Sequence, residues 1–201
     1  PDLQLRPDDV DLEEVAAVRL LWTTGTGLSV EPSRTTTLAA LRARERRAVT
    51  VHDLDYREPF WESREEAGRW NREALTWATV AVGNREEVAV TLGEELEPAH
   101  AARALLELGP ELAVVKLGPD GVLAATSGEQ IVVPAVPVDV LNGLGAGDAF
   151  GGALCHGLLA GWELERVVRF ANAAGAVVAT RLGCADDMPT ADEVEELLCS
   201  A

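Results

Sequence analysis

An α/β fold, a mostly parallel sheet with helices on both faces, is what the sequence predicts. Short apolar runs of β-type residues alternate with amphipathic stretches of helical period, which is the pattern of strand–helix–strand units. Glycines or charged residues cluster where the runs end, and only one pair of runs is joined by a tight polar turn.

Residues 1–18 read as an approach to a strand in mid-domain, with no strand before them. Residues 19–24 form the first strand and lead into the turn Gly25-Thr26-Gly27. A helix over 33–46 follows, with Ser33 as its N-cap. The second strand spans 48–54, and Asp53-Leu54-Asp55-Tyr56-Arg57 lies at its exit. Residues 64–76 are helical, 79–82 form a strand, and Asn84 caps the next helix, with Glu86 and Glu87 in its first turn. Pro98 opens a helix to 108, in the first-turn position where its missing N–H costs nothing. Residues 112–116 are a buried-type strand. The runs 121–125 and 130–133 flank Thr126-Ser127-Gly128-Glu129 as a hairpin. From Gly147 the chain is helical, to about 160, again over 164–180, and finally from Thr190.

Composition bounds the function. With 47% hydrophobic and 25% charged residues the chain is an ordinary globular one. The absence of a long apolar run and of a signal-like start makes a cytoplasmic protein the expectation. Net charge is −17, from 34 acidic and 17 basic residues. Such a surface repels phosphate backbones, so neither nucleic acid nor an anionic membrane is expected as a partner. Any polyanion must be bound locally. Cys155, Cys184 and Cys199 match neither a disulfide framework nor zinc spacing. His52, His100 and His156 have no ligand spacing either. The arginines of 42–47 read as a solvated helix face. The five tryptophans read as core or subunit contacts, the latter implying a homo-oligomer, rather than as a stacking platform with basic neighbours.

In open α/β sheets ligands sit at the carboxyl ends of the strands. Those ends carry Gly25–Gly27, Asp53–Arg57, Gly83–Glu87, Lys116–Gly121 and Leu141–Asp148, the last holding the run Gly143-Leu144-Gly145-Ala146-Gly147-Asp148. Alternate glycines let the backbone of the last run approach a ligand, and amides at the mouth of the following helix make an anion site. Asp148, in that helix's first turn, is placed to accept a proton from a hydroxyl. A tight turn with Asp148 as a mere cap stays open on this run alone. It lacks the Gly-Lys-Ser/Thr of a Walker loop, and a carboxylate stands where a dinucleotide fingerprint has its third glycine. Lys116, the only lysine, ends an apolar strand, where it either snorkels out or meets a phosphate. Asp53, Asp55 and Arg57 share one face of an extended segment.

Four of these segments, in order, resemble the ribokinase-like (PfkB) carbohydrate kinases. Gly145-Ala146-Gly147-Asp148 resembles the family's C-terminal signature, and Asn84-Arg85-Glu86-Glu87 its Asn-x-x-Glu motif. Lys116-Leu117-Gly118-Pro119-Asp120-Gly121 resembles its strand exit beside the nucleotide, and Phe170-Ala171-Asn172-Ala173-Ala174 its adenine-flanking helix. The resemblance implies a three-layer sandwich over 1–201 as one domain. It implies an ATP- and Mg2+-dependent sugar kinase with Asp148 as base and Gly145, Ala146 and Gly147 as anion hole. Asn84, Lys116, Gly118, Gly121 and Asn172 would hold the nucleotide, Glu87 the magnesium shell, and Arg57 an acidic sugar. The runs Asp53 to Arg57, Phe60-Trp61, 143–157 and 184–189 are similar to members that phosphorylate a deoxy-ketogluconate; 2-keto-3-deoxygluconate and fructose are the alternatives. Members often carry aspartate and threonine where this chain has Asn142 and Gly143. They also carry an N-terminal sugar-gripping Gly-Gly motif and a β lid that do not appear here, so an N-terminal portion is expected to be missing.

Overall fold

The computed structural model describes residues 2–200. In chain order the elements are α1 Leu12–Ala17, β1 Leu20–Thr24, α2 Ser33–Arg44, β2 Val49–Asp53, α3 Arg64–Leu75, β3 Val80–Asn84, α4 Arg85–Leu92, α5 Pro98–Glu107 and β4 Leu112–Lys116. They continue with β5 Val122–Ala125, β6 Gln130–Val133, α6 Ala146–Ala160, α7 Leu164–Ala179 and α8 Ala191–Ser200. Six strands pair in the order β1-β2-β3-β4-β5-β6. The first four are parallel, with Thr24 opposite Asp53, Asp53 opposite Val82, and Asn84 opposite Lys116. The β5–β6 hairpin closes through Thr126 N–H donating to the Glu129 carbonyl at 2.8 Å. β3, β4 and β5 are buried along almost their whole length. Strands covered on both faces read as continuous apolar runs, and Val80-Ala81-Val82 and Leu112-Ala113-Val114-Val115 are two of them.

The chain folds as two compact units. One comprises Pro1–Lys116 with Leu123–Gln130, the other Leu117–Val122 with Ile131–Ala201. In the first, Leu28, Leu38, Leu41, Trp61, Ala67, Ala74 and Val90 form a core cluster against which Tyr56, Trp70 and Trp77 pack. The turn out of β1 needs glycine, because a Cβ on Gly25 would lie 2.1 Å from the Leu54 carbonyl oxygen.

The approach to β1 is the helix α1, which Asp11 caps by accepting from the amides of Glu13 and Glu14. Three expectations are corrected here. Ser33 is the first residue of α2 rather than its cap, and its hydroxyl donates to the Gly27 carbonyl at 2.9 Å. The arginines of 42–47 are not one solvated face. Arg42 and Arg47 are exposed, but Arg44 is fully buried and donates to the carbonyls of Val15, Ala16, Val18 and Val49 and to the Thr50 hydroxyl. A guanidinium carries five donors in a fixed fork, and here a ring of strand and helix ends satisfies them. Trp61, Trp70 and Trp77 lie in or against the core as expected, but two tryptophans also meet basic neighbours: Arg34 and Arg69 each lie 4.6 Å from the Trp70 ring, and Arg166 lies 4.0 Å from that of Trp162.

Candidate functional site

Each unit carries part of the predicted constellation. In the first unit, parity along the parallel ladder puts Lys116, Asn84 and the Asp53–Asp55 pair on one face of the sheet, at the carboxyl ends of β4, β3 and β2. Asn84 caps α4 by the capping box its sequence implied. Its Oδ1 accepts from the Glu87 amide at 3.0 Å, and Glu87 Oε2 accepts from the Asn84 amide at 2.6 Å. Glu87 is thereby fixed with its side chain only 11% exposed. Lys116 Nζ lies 3.9 Å from Glu87 Oε2 and 3.9 Å from Asp53 Oδ1, so the ammonium neither snorkels free nor stays unpaired.

Asp53 is crowded. Burial pushes its carboxyl up to about 6; Lys116 opposes that rise, while Glu87 and Asp55 add to it. Asp55 stands next to it at φ 28°, a left-handed conformation that ordinarily costs a non-glycine residue. It is held there by the Thr26 hydroxyl, which donates to its carboxylate at 2.6 Å, and by Arg57 Nε at 2.9 Å. Beneath them, buried His52 joins the Thr23 hydroxyl through Nδ1 and Asn71 Oδ1 through Nε2. Burial pulls its pKa down to about 4, so the ring is neutral and braces the β1 and β2 exits.

In the second unit, Gly145 sits at φ 84° as the N-cap of α6, and no side chain caps that helix. A Cβ on Gly145 would lie 2.6 Å from Cys184 Sγ. Glycine therefore meets two demands here, a left-handed turn and a thiol packed against it. The Ala146 amide turns inward to the Gly143 carbonyl at 3.3 Å, leaving the amides of Gly147 and Asp148 without an acceptor among the described residues. Asp148 is exposed in the first turn. It lines a cavity of about 470 Å³ with Gly152, His156, Phe170, Met188 and Thr190. Asn142 ties the loop down. Its Nδ2 donates to the Leu182 carbonyl and its Oδ1 accepts from the Leu144 amide, each at 3.1 Å.

Gly118 and Gly121 bracket a single turn at φ 63° and φ 93°, and a Cβ on Gly121 would strike the Val133 carbonyl at 2.0 Å. Asn172, on α7, donates to the Pro134 carbonyl at 2.8 Å, which orients its amide and leaves Oδ1 as an acceptor. The first unit thus brings Asn84, Glu87 and Lys116 together, with Arg57 nearby along the strand exit. The second holds Gly145, Ala146, Gly147 and Asp148 on one turn. Sequence reasoning missed the pairing of Asp53 with Lys116, since it spans two strands, and the contact of Cys184 with Gly145.

Among the described residues no group of three or more His, Cys, Asp or Glu side chains is arranged to hold a metal ion. Magnesium asks less of a protein than such a group, because it keeps several waters and takes one or two carboxylates together with substrate phosphates. Glu87, locked in place by its cap, fits that mode.

A parallel sheet with charged strand exits and a glycine-opened helix defines an α/β protein of the open-sheet class, in which ligands sit at the carboxyl ends of the strands. The family profile described as pfkB family carbohydrate kinase matches residues 2–191, and the chain belongs to that family. A 5-dehydro-2-deoxygluconokinase of Clostridium perfringens is 31% identical over 98% of this chain. The chain spans 60% of that relative's length. Among solved structures, a putative ribokinase II from E. coli superimposes with a TM-score of 0.89 at 24% identity, over 98% of this chain and 64% of the other. The aminoimidazole riboside kinase of Salmonella enterica, complexed with aminoimidazole riboside and an ATP analog, gives 0.83 at 26%, over 98% and 67%. No described helix is long and apolar enough to cross a membrane.

Proposed function

We infer that this chain is the nucleotide-binding, proton-accepting part of an ATP-dependent sugar kinase. The observation that carries the reading is α6: a left-handed Gly145, amides of Gly147 and Asp148 with no internal acceptor, and the Asp148 carboxylate open to a cavity on the same turn. ATP, when bound, supplies the phosphoryl group. Asp148 takes the proton from the attacking hydroxyl, and the uncapped amides with the helix dipole behind them stabilise charge on the transferring group. Gly145, Ala146 and Gly147 shape this hole, Gly145 and Ala146 by forming the turn and Gly147 by its amide. Asn84, Lys116, Gly118, Gly121 and Asn172 would hold the nucleotide, and Glu87 would contribute to the magnesium shell. Arg57, exposed at the β2 exit, supplies the cation an acidic sugar needs.

The acceptor that the Clostridium perfringens relative's name supports is 5-dehydro-2-deoxy-D-gluconate, a step of myo-inositol breakdown in the cytoplasm. A coupled kinase assay with that sugar acid, 2-keto-3-deoxygluconate and fructose tests it. The 5-dehydro acid is expected to turn over fastest, with Arg57→Met raising KM for the acids and not for fructose. Preference for fructose would sink the substrate assignment. A second reading is a nucleotide-binding chain without turnover. ATP binding by calorimetry with no product in the assay would favour it.

A further inference from the structure

Lys116 is the only lysine of the chain, and its ammonium is unusually placed. It lies 3.9 Å from each of two carboxylate oxygens, within ion-pair range but beyond hydrogen-bond range. Among the described residues it makes these two ion pairs and no hydrogen bond, so its three donors are unspent. The two anions are not equivalent. Glu87 is fixed by the α4 cap, with Oε2 already accepting from the Asn84 amide. Asp53 comes from β2, two strands away from β4, and Lys116 reaches it only by lying across the exit of β3. Side-chain exposures of 16% for Asp53 and 21% for Lys116 keep water from screening the pair fully.

We propose that Asp53 is a positioning residue that acts through Lys116: it draws the ammonium across the β3 exit in the empty site and competes for it with an incoming phosphate. This rests on the reading of Lys116 as a nucleotide ligand and adds a restraint to it. The carboxylate does not touch the nucleotide. It sets how much of the Lys116 interaction is available for binding, since an ammonium already paired gives an anion only the difference between two partners. Glu87 supplies the fixed end of the tether and Asp53 the part that yields.

The alternative is that Asp53 repels phosphate directly, and a double-mutant cycle separates the two. Calorimetric titration with ATP and magnesium, in mildly alkaline buffer, would compare wild type, Asp53→Asn, Lys116→Met and the double variant. Asp53→Asn is expected to tighten ATP binding by roughly threefold to tenfold, the worth of one partly screened ion pair. In the Lys116→Met background the same change is expected to do nothing. Tightening by the same factor in both backgrounds, or weaker binding in Asp53→Asn alone, would overturn the proposal. Asp53→Glu, which keeps the charge, is expected to bind as wild type does, and gives a second comparison where Asp53→Asn folds poorly; tightening there contradicts the tether. A wild type that takes up no ATP is a separate result. It would overturn the parent reading, and it is seen in the first titration.

Discussion

The strand-exit cluster of the first unit and the glycine turn of the second both carry carboxylates, but they hold them under opposite conditions. Asp53 and Glu87 are nearly covered, locked to a lysine and to a helix cap, and crowded enough that Asp53 is pushed up to about 6. Asp148 is exposed, on a turn where the amides of Gly147 and Asp148 have no acceptor among the described residues, and residues 141–148 contain no cation. A buried carboxylate fixed by a helix cap, as Glu87 is, suits a binding frame, with Asp53 as the partner that gives way. An open carboxylate beside unsatisfied donors costs little to maintain and suits a group that exchanges a proton each cycle. On the proposed function the first region would serve binding and the second chemistry.

Removing the Asp148 carboxylate should therefore cost turnover and not stability. Asp148→Asn is expected to lower kcat by about 10²–10⁴, the usual worth of a general base. Its unfolding free energy from urea titration should stay within about 0.5 kcal/mol of wild type, as for an exposed side chain. A large loss of stability would mean that Asp148 is a structural cap.

The first region should show its strain as a pH effect. An acid whose folded pKa lies above its unfolded value adds most stability below the unfolded value, near 4, and loses it as pH rises through about 6. The urea-derived unfolding free energy of wild type should thus fall relative to Asp53→Asn across that window, by about 2–3 kcal/mol at most. His52, pulled down to about 4, acts in the opposite sense: its contribution is complete above about 6.5 and disappears as pH falls toward 4. The difference between variant and wild type isolates Asp53, because both proteins share His52.

Two smaller effects sharpen the contrast. Gly145→Ala forces a Cβ to within 2.6 Å of Cys184 Sγ at φ 84°. It should destabilise by about 1–3 kcal/mol and lower kcat by displacing the amides; Cys184→Ala in the same chain should relieve the clash but not the backbone strain. Asn84→Ala removes one half of the capping box and should cost about 1 kcal/mol in thermal or urea unfolding. If the cap fixes Glu87 for metal, the magnesium concentration needed for half-maximal turnover should rise in that variant.

What was legible in the sequence was local or periodic. Strands such as Leu112–Lys116 were readable because their apolar runs are buried on both faces. The Asn84–Glu87 box was readable because its partners are three residues apart. The glycine turn was readable because few other residues tolerate its backbone. Features that needed the third dimension were not. Arg44 sits among charged neighbours in sequence, and its burial is compensated by the carbonyls of Val15, Ala16, Val18 and Val49 and the Thr50 hydroxyl, which only the fold brings together. α1 is six residues long, with little apolar period of its own. The tether between Asp53 and Lys116 spans 63 positions across β3, and no spacing rule announces it.

The division of labour between the two regions is tested most directly by ATP titration of Lys116→Met beside Asp148→Asn. Lys116→Met is predicted to weaken ATP binding by about tenfold or more, the loss of one charge-assisted contact to phosphate, while Asp148→Asn binds within about twofold of wild type. Equal weakening in both variants, or unchanged affinity in Lys116→Met, would contradict it.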